Sequence, residues 1–224
     1  MRNPQCATEA SAWGWVRNRT GELTWLLEIG LVFSCIMLAV WTPPGLFNSV
    51  VNLSAALAVV AVSMRGPYSA RELGLTRPAS GAVVTLIAGV LVVLVITGSG
   101  VFTSKLGPPQ LFPLHKAWQY AIWALVQEFI LQSVFYVRLE SVFGSGRAVL
   151  VAALLFATAH FPSPLLTALS FLGGLLFCEM FRRYRNVFSL GLVHAALGLT
   201  IAARLPDSVL HHMRVGIGYL TYYH

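Results

Sequence analysis

Glu128 is a carboxylate placed where a membrane protein can least tolerate one. It lies within the apolar run Ala124–Leu125–Val126–Gln127–Glu128–Phe129–Ile130–Leu131–Gln132–Ser133. The flanks, Trp118 to Trp123 and Val134 to Val137, give no reason for a charge. A buried carboxylate is costly unless it is paired, protonated or hydrogen-bonded. On a helix Glu128 and Gln132 share a face at i, i+4, while Gln127 points about 100° away. One turn therefore presents a polar notch, either a clamp between helices or part of a reaction centre. Two later apolar runs each carry a lone histidine, His160 and His194. Each alone reads as a satisfied core histidine. Three such groups on three helices seek one another, because polar side chains in lipid have few other partners. Phe156 lies one turn before His160, where its ring can wall the imidazole. Gly198 lies one turn beyond His194 and leaves a groove beside that ring.

Two chemistries use a Glu and two His. In zinc hydrolysis two histidines and a carboxylate hold the metal. Intramembrane zinc peptidases usually carry His-Glu-x-x-His on one helix, and this chain has no such motif. In the other, a carboxylate with a histidine deprotonates water and the second histidine stabilises the oxyanion. Ser133 is near Glu128, but no Gly-x-Ser-x-Gly stretch supports a serine nucleophile.

The elements that must position these groups are membrane helices. Of 224 residues, 57% are apolar and only 10% charged, well below the ~25% charged of soluble domains. The expectation is an all-α, polytopic bundle of about seven spans (six to eight), each near the ~20 residues that cross the hydrocarbon except a short fifth, stopped early by Pro162. The spans run from about Thr24 to Trp41, Leu46 to Met64, Gly81 to Thr97, Ala117 to Val137, Ala148 to His160, Leu165 to Phe181 and Val187 to Ala203. Glu28, near the start of the first, is expected to snorkel or pair. Glu179 is expected to pair with Arg182 or Arg183. The broken, proline-rich loop Gly98–Lys116 reads as a lid or re-entrant piece. Residues 1–23, with Trp13, Trp15, Arg17 and Arg19, and residues 204–224 read as interfacial or tail segments of a single integral membrane domain, 1–224. No cleavable signal peptide is evident. Cys6, Cys35 and Cys178 lack metal or disulfide spacing and read as small apolar fillers.

The formal charge of +7 is a topology signal rather than a nucleic-acid footprint. On alternate sides, one end collects Arg2, Arg17, Arg19, Arg65, Arg71, Arg77, Arg138, Arg147, Arg182, Arg183 and Arg185. The other holds Lys105, Lys116, Arg204 and Arg214. The positive-inside rule places the arginine-rich end in the cytoplasm.

Three stretches carry a family resemblance: Gln127–Glu128–Phe129–Ile130–Leu131–Gln132, Phe156–Ala157–Thr158–Ala159–His160 and His194–Ala195–Ala196–Leu197–Gly198. In order and spacing they resemble the Glu-Glu-x-x-x-Arg, Phe-x-x-x-His and His-x-x-x-Asn motifs of the CPBP family. These are the CAAX protease and bacteriocin-processing (Abi-type) glutamic intramembrane endopeptidases. The loop Arg71–Glu72–Leu73–Gly74–Leu75 is similar too, and the likeness spans residues 65–203. Gln127 replaces the first Glu, Gln132 the Arg and Gly198 the Asn. The first Glu of the pair is commonly given the water-activating role, so its replacement leaves a catalytically inactive relative as the alternative.

The resemblance implies a metal- and cofactor-independent endopeptidase of a divergent, myxosortase-like branch, in the bacterial cytoplasmic membrane. Glu128 and His160 activate water, His194 binds the oxyanion, and Gln127, Gln132, Phe156 and Gly198 shape the substrate side. Its partners are the bilayer and a membrane-anchored or lipidated protein tail, such as a C-terminal sorting signal or a prenylated CAAX-like sequence; nucleic acid is not among them. The inactive alternative is a peptide-binding or scaffold protein. A proton-coupled transporter using Glu128 is a third class, disfavoured because neither inverted repeats nor paired broken helices are evident.

Overall fold

A computed structural model describes residues 4–76, 79–98 and 113–221, with side chains from Gly21 onward. The chain is all-helical, without strands among the described residues. Seven principal helices follow in order: α1 (Pro4–Trp41), α2 (Leu46–Arg65), α3 (Ala82–Gly98), α4 (Leu114–Phe143), α5 (Ser145–Thr158), α6 (Pro164–Tyr184) and α7 (Val187–Arg204). Two short turns of helix, α8 (Asp207–Leu210) and α9 (Ile217–Leu220), complete the C-terminal segment. Gly21–Trp41 of α1 and the whole of α2, α4, α6 and α7 are long and apolar enough to cross a bilayer. The shorter α3 and α5 are also apolar. The polar N-terminal stretch continues into the same helix as the first span instead of forming a separate segment. Most of the expected lid, residues 99–112, lies outside the described residues.

Local chemistry sets the helix ends. Thr42–Pro43–Pro44–Gly45 stops α1, since proline lacks the amide that continues a helix. Gly144 takes φ +78 between α4 and α5, a conformation that favours glycine, and its amide donates to Glu140 O. Pro164 opens α6, where a missing amide costs nothing. Asn186 caps α7, its Oδ1 accepting from Ser189 N at 3.2 Å.

The helices assemble as small residues permit. Cβ atoms on Gly191, Gly174 and Gly89 would crowd Leu125, Ala153 and Val193 respectively. These are the close approaches α4–α7, α5–α6 and α3–α7. Such contacts are how helices associate in lipid, where burial of apolar surface supplies no driving force between them. The α4–α7 pair is antiparallel, with Tyr120 opposite Gly198 and Leu125 opposite Gly191. The α3–α7 pair is parallel, with Ser80 O accepting from Asn186 Nδ2 and Gly89 against Val193.

The centre of the bundle is a widened stretch of α4, Phe129–Tyr136, in π-helical geometry. Val137 N bonds back to Gln132 O, five residues earlier. Leu131, Val134, Phe135 and Tyr136 are buried there, and the stretch packs on α2, α5, α6 and α7. Such widened turns recur at functional sites. Their loosened carbonyls need donors, and Arg138 supplies them. Its Nη1 donates to Ser133 O at 3.3 Å and Val134 O at 3.1 Å, and its Nη2 to Val62 O at 2.6 Å. Nε pairs with Glu28 Oε2 at 2.7 Å, and the guanidinium lies over the Tyr68 ring. Arg138 is 0% exposed, so the residue that reads as a loop cation from sequence is the buried joint of α1, α2 and α4. Glu28 is paired, and Glu179 pairs with both Arg182 and Arg183.

One end of the bundle collects Arg138, the Arg185–Glu140 ion pair and the loop after α2. In that loop the Ser69 amide and hydroxyl both donate to Glu72 and hold its carboxyl below the usual carboxylate range. The opposite end brings Trp41 against Phe161 and the Gly216 amide to Phe161 O. Arg138 and Arg185 thus share one end of the bundle with the loop after α2.

Candidate active site

Glu128 sits at the last turn before the widened segment and is 0% exposed. Its two carboxylate oxygens have separate partners. Gln132 Nε2 donates to Oε2 at 3.0 Å, and His194 Nδ1–H donates to Oε1 at 2.9 Å. The polar notch read on one face of α4 is thus present, and α7 closes it with an imidazole. The antiparallel α4–α7 contact at Gly191 makes this possible by letting the helix backbones approach. Gln132 Oε1 is buried without a partner among the described atoms.

His160 lies in the turn just after α5, its amide bonded to Ala157 O. Its Nδ1 is 2.7 Å from Phe156 O. A carbonyl can only accept, so Nδ1 carries the hydrogen and Nε2 presents a lone pair. Against an ionised Glu128 carboxylate, which can only accept, His194 Nδ1 likewise carries the hydrogen and its Nε2 presents a lone pair. Phe156 stands between the two imidazoles. Its ring meets His160 edge-on at 4.8 Å and His194 edge-on at 5.7 Å between centroids. Phe177 of α6 stacks on His194 at 5.3 Å and 19°. His194 is held between two aromatic rings and His160 against one, and each has one nitrogen at an acceptor.

The imidazoles face a cavity of about 540 Å³ lined by α1, α3, α4, α5, α6 and α7 and by Met213 and Val215 of the C-terminal segment. Its wall is mostly apolar, including Phe33, Ile36, Val92 and Leu172. Tyr120, Gln127, His160, Ser170 and His194 supply the main polar groups. Glu128 and Gln132 are not on the wall. The carboxylate acts on the cavity only through His194, while Gln127, one residue earlier, reaches it directly. The sequence reading puts Glu128 to work with His160; the contact that the structure makes is with His194. Gly198 lies on the wall one turn from His194, and a Cβ there would overlap the Tyr120 hydroxyl.

Ser133 points elsewhere: its hydroxyl donates to Leu73 O at 2.7 Å and pins the loop after α2 to the widened segment. Among the described residues no three His, Cys, Asp or Glu side chains cluster as metal ligands. Sequence reasoning missed Phe177 and Tyr120. Tyr120 carries a usable signal, a hydroxyl two turns before Glu128 on the same helix.

No curated protein and no solved structure matches the chain significantly. Residues 109–200 do match a family model, described as type II CAAX prenyl endopeptidase Rce1-like, and that stretch holds α4 to α7, Glu128 and both histidines. With an all-helical bundle of apolar helices around it, this region is similar to the Rce1-like type II CAAX prenyl endopeptidases.

Proposed function

We propose that the chain is an intramembrane endopeptidase of glutamic type in which Glu128 and His194 act as one base. The observation that carries this reading is the 2.9 Å contact between Glu128 Oε1 and His194 Nδ1, with His194 on the cavity wall. The two Nε2 lone pairs, of His194 and His160, are acceptors for the two hydrogens of a water, whose own lone pair is left for a peptide carbonyl. His194 takes the water proton, and the buried carboxylate of Glu128 stabilises the imidazolium that forms, as in a carboxylate–histidine–nucleophile arrangement. The proton then passes to the leaving amine as the C–N bond breaks. His160 keeps the water aligned, and Phe156, Gln127, Gln132 and Gly198 shape the site. No metal or cofactor takes part in these steps.

The apolar cavity suits a membrane-anchored or lipidated protein tail, such as a CAAX-like sequence or a C-terminal sorting signal. The working unit is one integral membrane domain with its core at residues 65–203, in a bacterial cytoplasmic membrane. A second reading is an inactive relative that binds such a tail. It is favoured by one feature: the cavity wall carries the neutral Gln127, and Glu128 is wholly buried. Mass spectrometry of membrane proteins from cells with the wild-type chain, with Glu128→Gln and without the chain separates the two. A terminus present only with wild type supports the peptidase. Termini unchanged in all three support the binder.

A further inference from the structure

The two imidazoles leave one requirement of the reaction unmet. Attack on a carbonyl creates an oxyanion, and an oxyanion needs hydrogen-bond donors already in place. In their neutral forms His160 and His194 have spent their only N–H groups on Phe156 O and Glu128, and both face the cavity as acceptors. The donor must therefore come from another group on the wall. Trp123 also lines the cavity but is 54% exposed, and Ser170 is on α6, outside the α4–α7 contact that builds the dyad. Gln127 and Tyr120 remain, both on α4.

We infer that the Tyr120 hydroxyl is the oxyanion donor, an assignment that rests on the peptidase reading above. Both residues line the cavity. Two observations favour Tyr120. It lies against Gly198, one helical turn from His194 on the same face of α7. And Gly198 is where the motif resemblance expects Asn: a side chain there would occupy the place that the hydroxyl takes, so glycine is what admits the phenol. In the step assigned to it, the water oxygen bonds to the carbonyl carbon and the carbonyl π pair moves to oxygen. The water proton goes to His194 Nε2. The oxyanion accepts a hydrogen bond from Tyr120, which keeps its proton. Collapse re-forms the carbonyl, breaks C–N and returns the proton from His194 to the amine.

The test uses the full chain in nanodiscs, with a farnesylated CAAX-type peptide and its phosphinate isostere, which mimics the tetrahedral anion. Tyr120→Phe is expected to lower kcat by about 10²-fold with KM within about threefold, and to weaken the phosphinate by a similar factor without changing affinity for the uncleaved peptide. Gly198→Ala, which keeps the phenol but displaces it, is expected to do the same. Near-wild-type cleavage by Tyr120→Phe, alongside loss of activity in Glu128→Gln and His194→Ala, overturns the donor role alone. So does a larger loss of phosphinate affinity in Gln127→Leu than in Tyr120→Phe. A wild-type chain that cleaves nothing and binds phosphinate no better than peptide overturns the peptidase reading, and the donor role with it.

Discussion

Glu128 is off the cavity wall and meets it through a ring nitrogen of His194, so its part in the reaction is played through that imidazole. Glu128→Gln is nearly isosteric, keeps an acceptor oxygen for one partner and removes the charge that stabilises an imidazolium. Processing should fall by roughly 10²–10⁴-fold with unchanged accumulation in the membrane, read as new termini against immunoblot level. His160→Ala and His194→Ala should be as damaging. Full activity in Glu128→Gln would remove the glutamic mechanism. Prolonged chelation should leave cleavage intact, and the purified protein should hold no stoichiometric zinc. One zinc per chain, lost together with activity, would turn the same side chains into ligands. Glu128, His160 and His194 are legible in the sequence because each is a polar interruption of an apolar run. Phe177 is not, since an aromatic residue in such a run looks like any other wall of the core; Tyr120 differs from it only by a hydroxyl two turns before Glu128. The partner of Ser133 is equally hidden, lying 60 residues away at Leu73.

Between residue and fold stands the widened turn of α4. An ordinary α period predicts Glu128 and Gln132 on one face and does find them together. It does not predict that the next eight residues, Phe129–Tyr136, change their hydrogen-bond register. Nor does it find Arg138, because the apolar run ends at Val137 whereas the helix continues to Phe143. The guanidinium thus joins three helices from a position that reads as a loop. Arg138→Met should destabilise the protein by about 3–5 kcal/mol, because it strands Glu28 and bares the carbonyls of Val62, Ser133 and Val134. Denaturant titration in detergent measures this, and a loss below about 1 kcal/mol would reduce the pair to a surface-like contact. Gly191→Val should act differently. It forces α7 from Leu125 at the contact that brings His194 to Glu128, so activity should drop far more than stability. Equal losses of both would show that the helix contact has no special bearing on the dyad.

At the scale of the whole molecule, composition alone is enough to read an all-helical membrane bundle, and helix positions follow the apolar runs to within a few residues at most ends. The merging of residues 4–23 into α1 was not legible, because interfacial and helical signals coincide in that stretch. The arginine-rich end should face the cytoplasm, leaving Glu128 about 18 Å below the outer surface, 12 residues from Lys116 at 1.5 Å each. His160, in the turn after α5, lies toward the same outer end, so cleavage is expected on the non-cytoplasmic side. In a cysteine-free background, Pro44→Cys should react with an impermeant thiol reagent on intact cells and Arg183→Cys should not; the reverse pattern turns the site to the cytoplasm. The buried pair of Glu28 and Arg138 also has a consequence for how the chain is made. Its two halves are 110 residues apart, so at ~5–20 residues per second Glu28 waits roughly 5–20 s in the membrane for its counter-charge. During that interval the nascent chain offers an unneutralised carboxylate to whatever surveys the bilayer. A chain stopped after Gly98 should accordingly be degraded faster than one stopped after Phe143, and pulse–chase labelling reads the difference. The ribosome's pace through α2 and α3 thereby sets how long the protein is exposed to proteolytic surveillance before it can complete its own neutralisation.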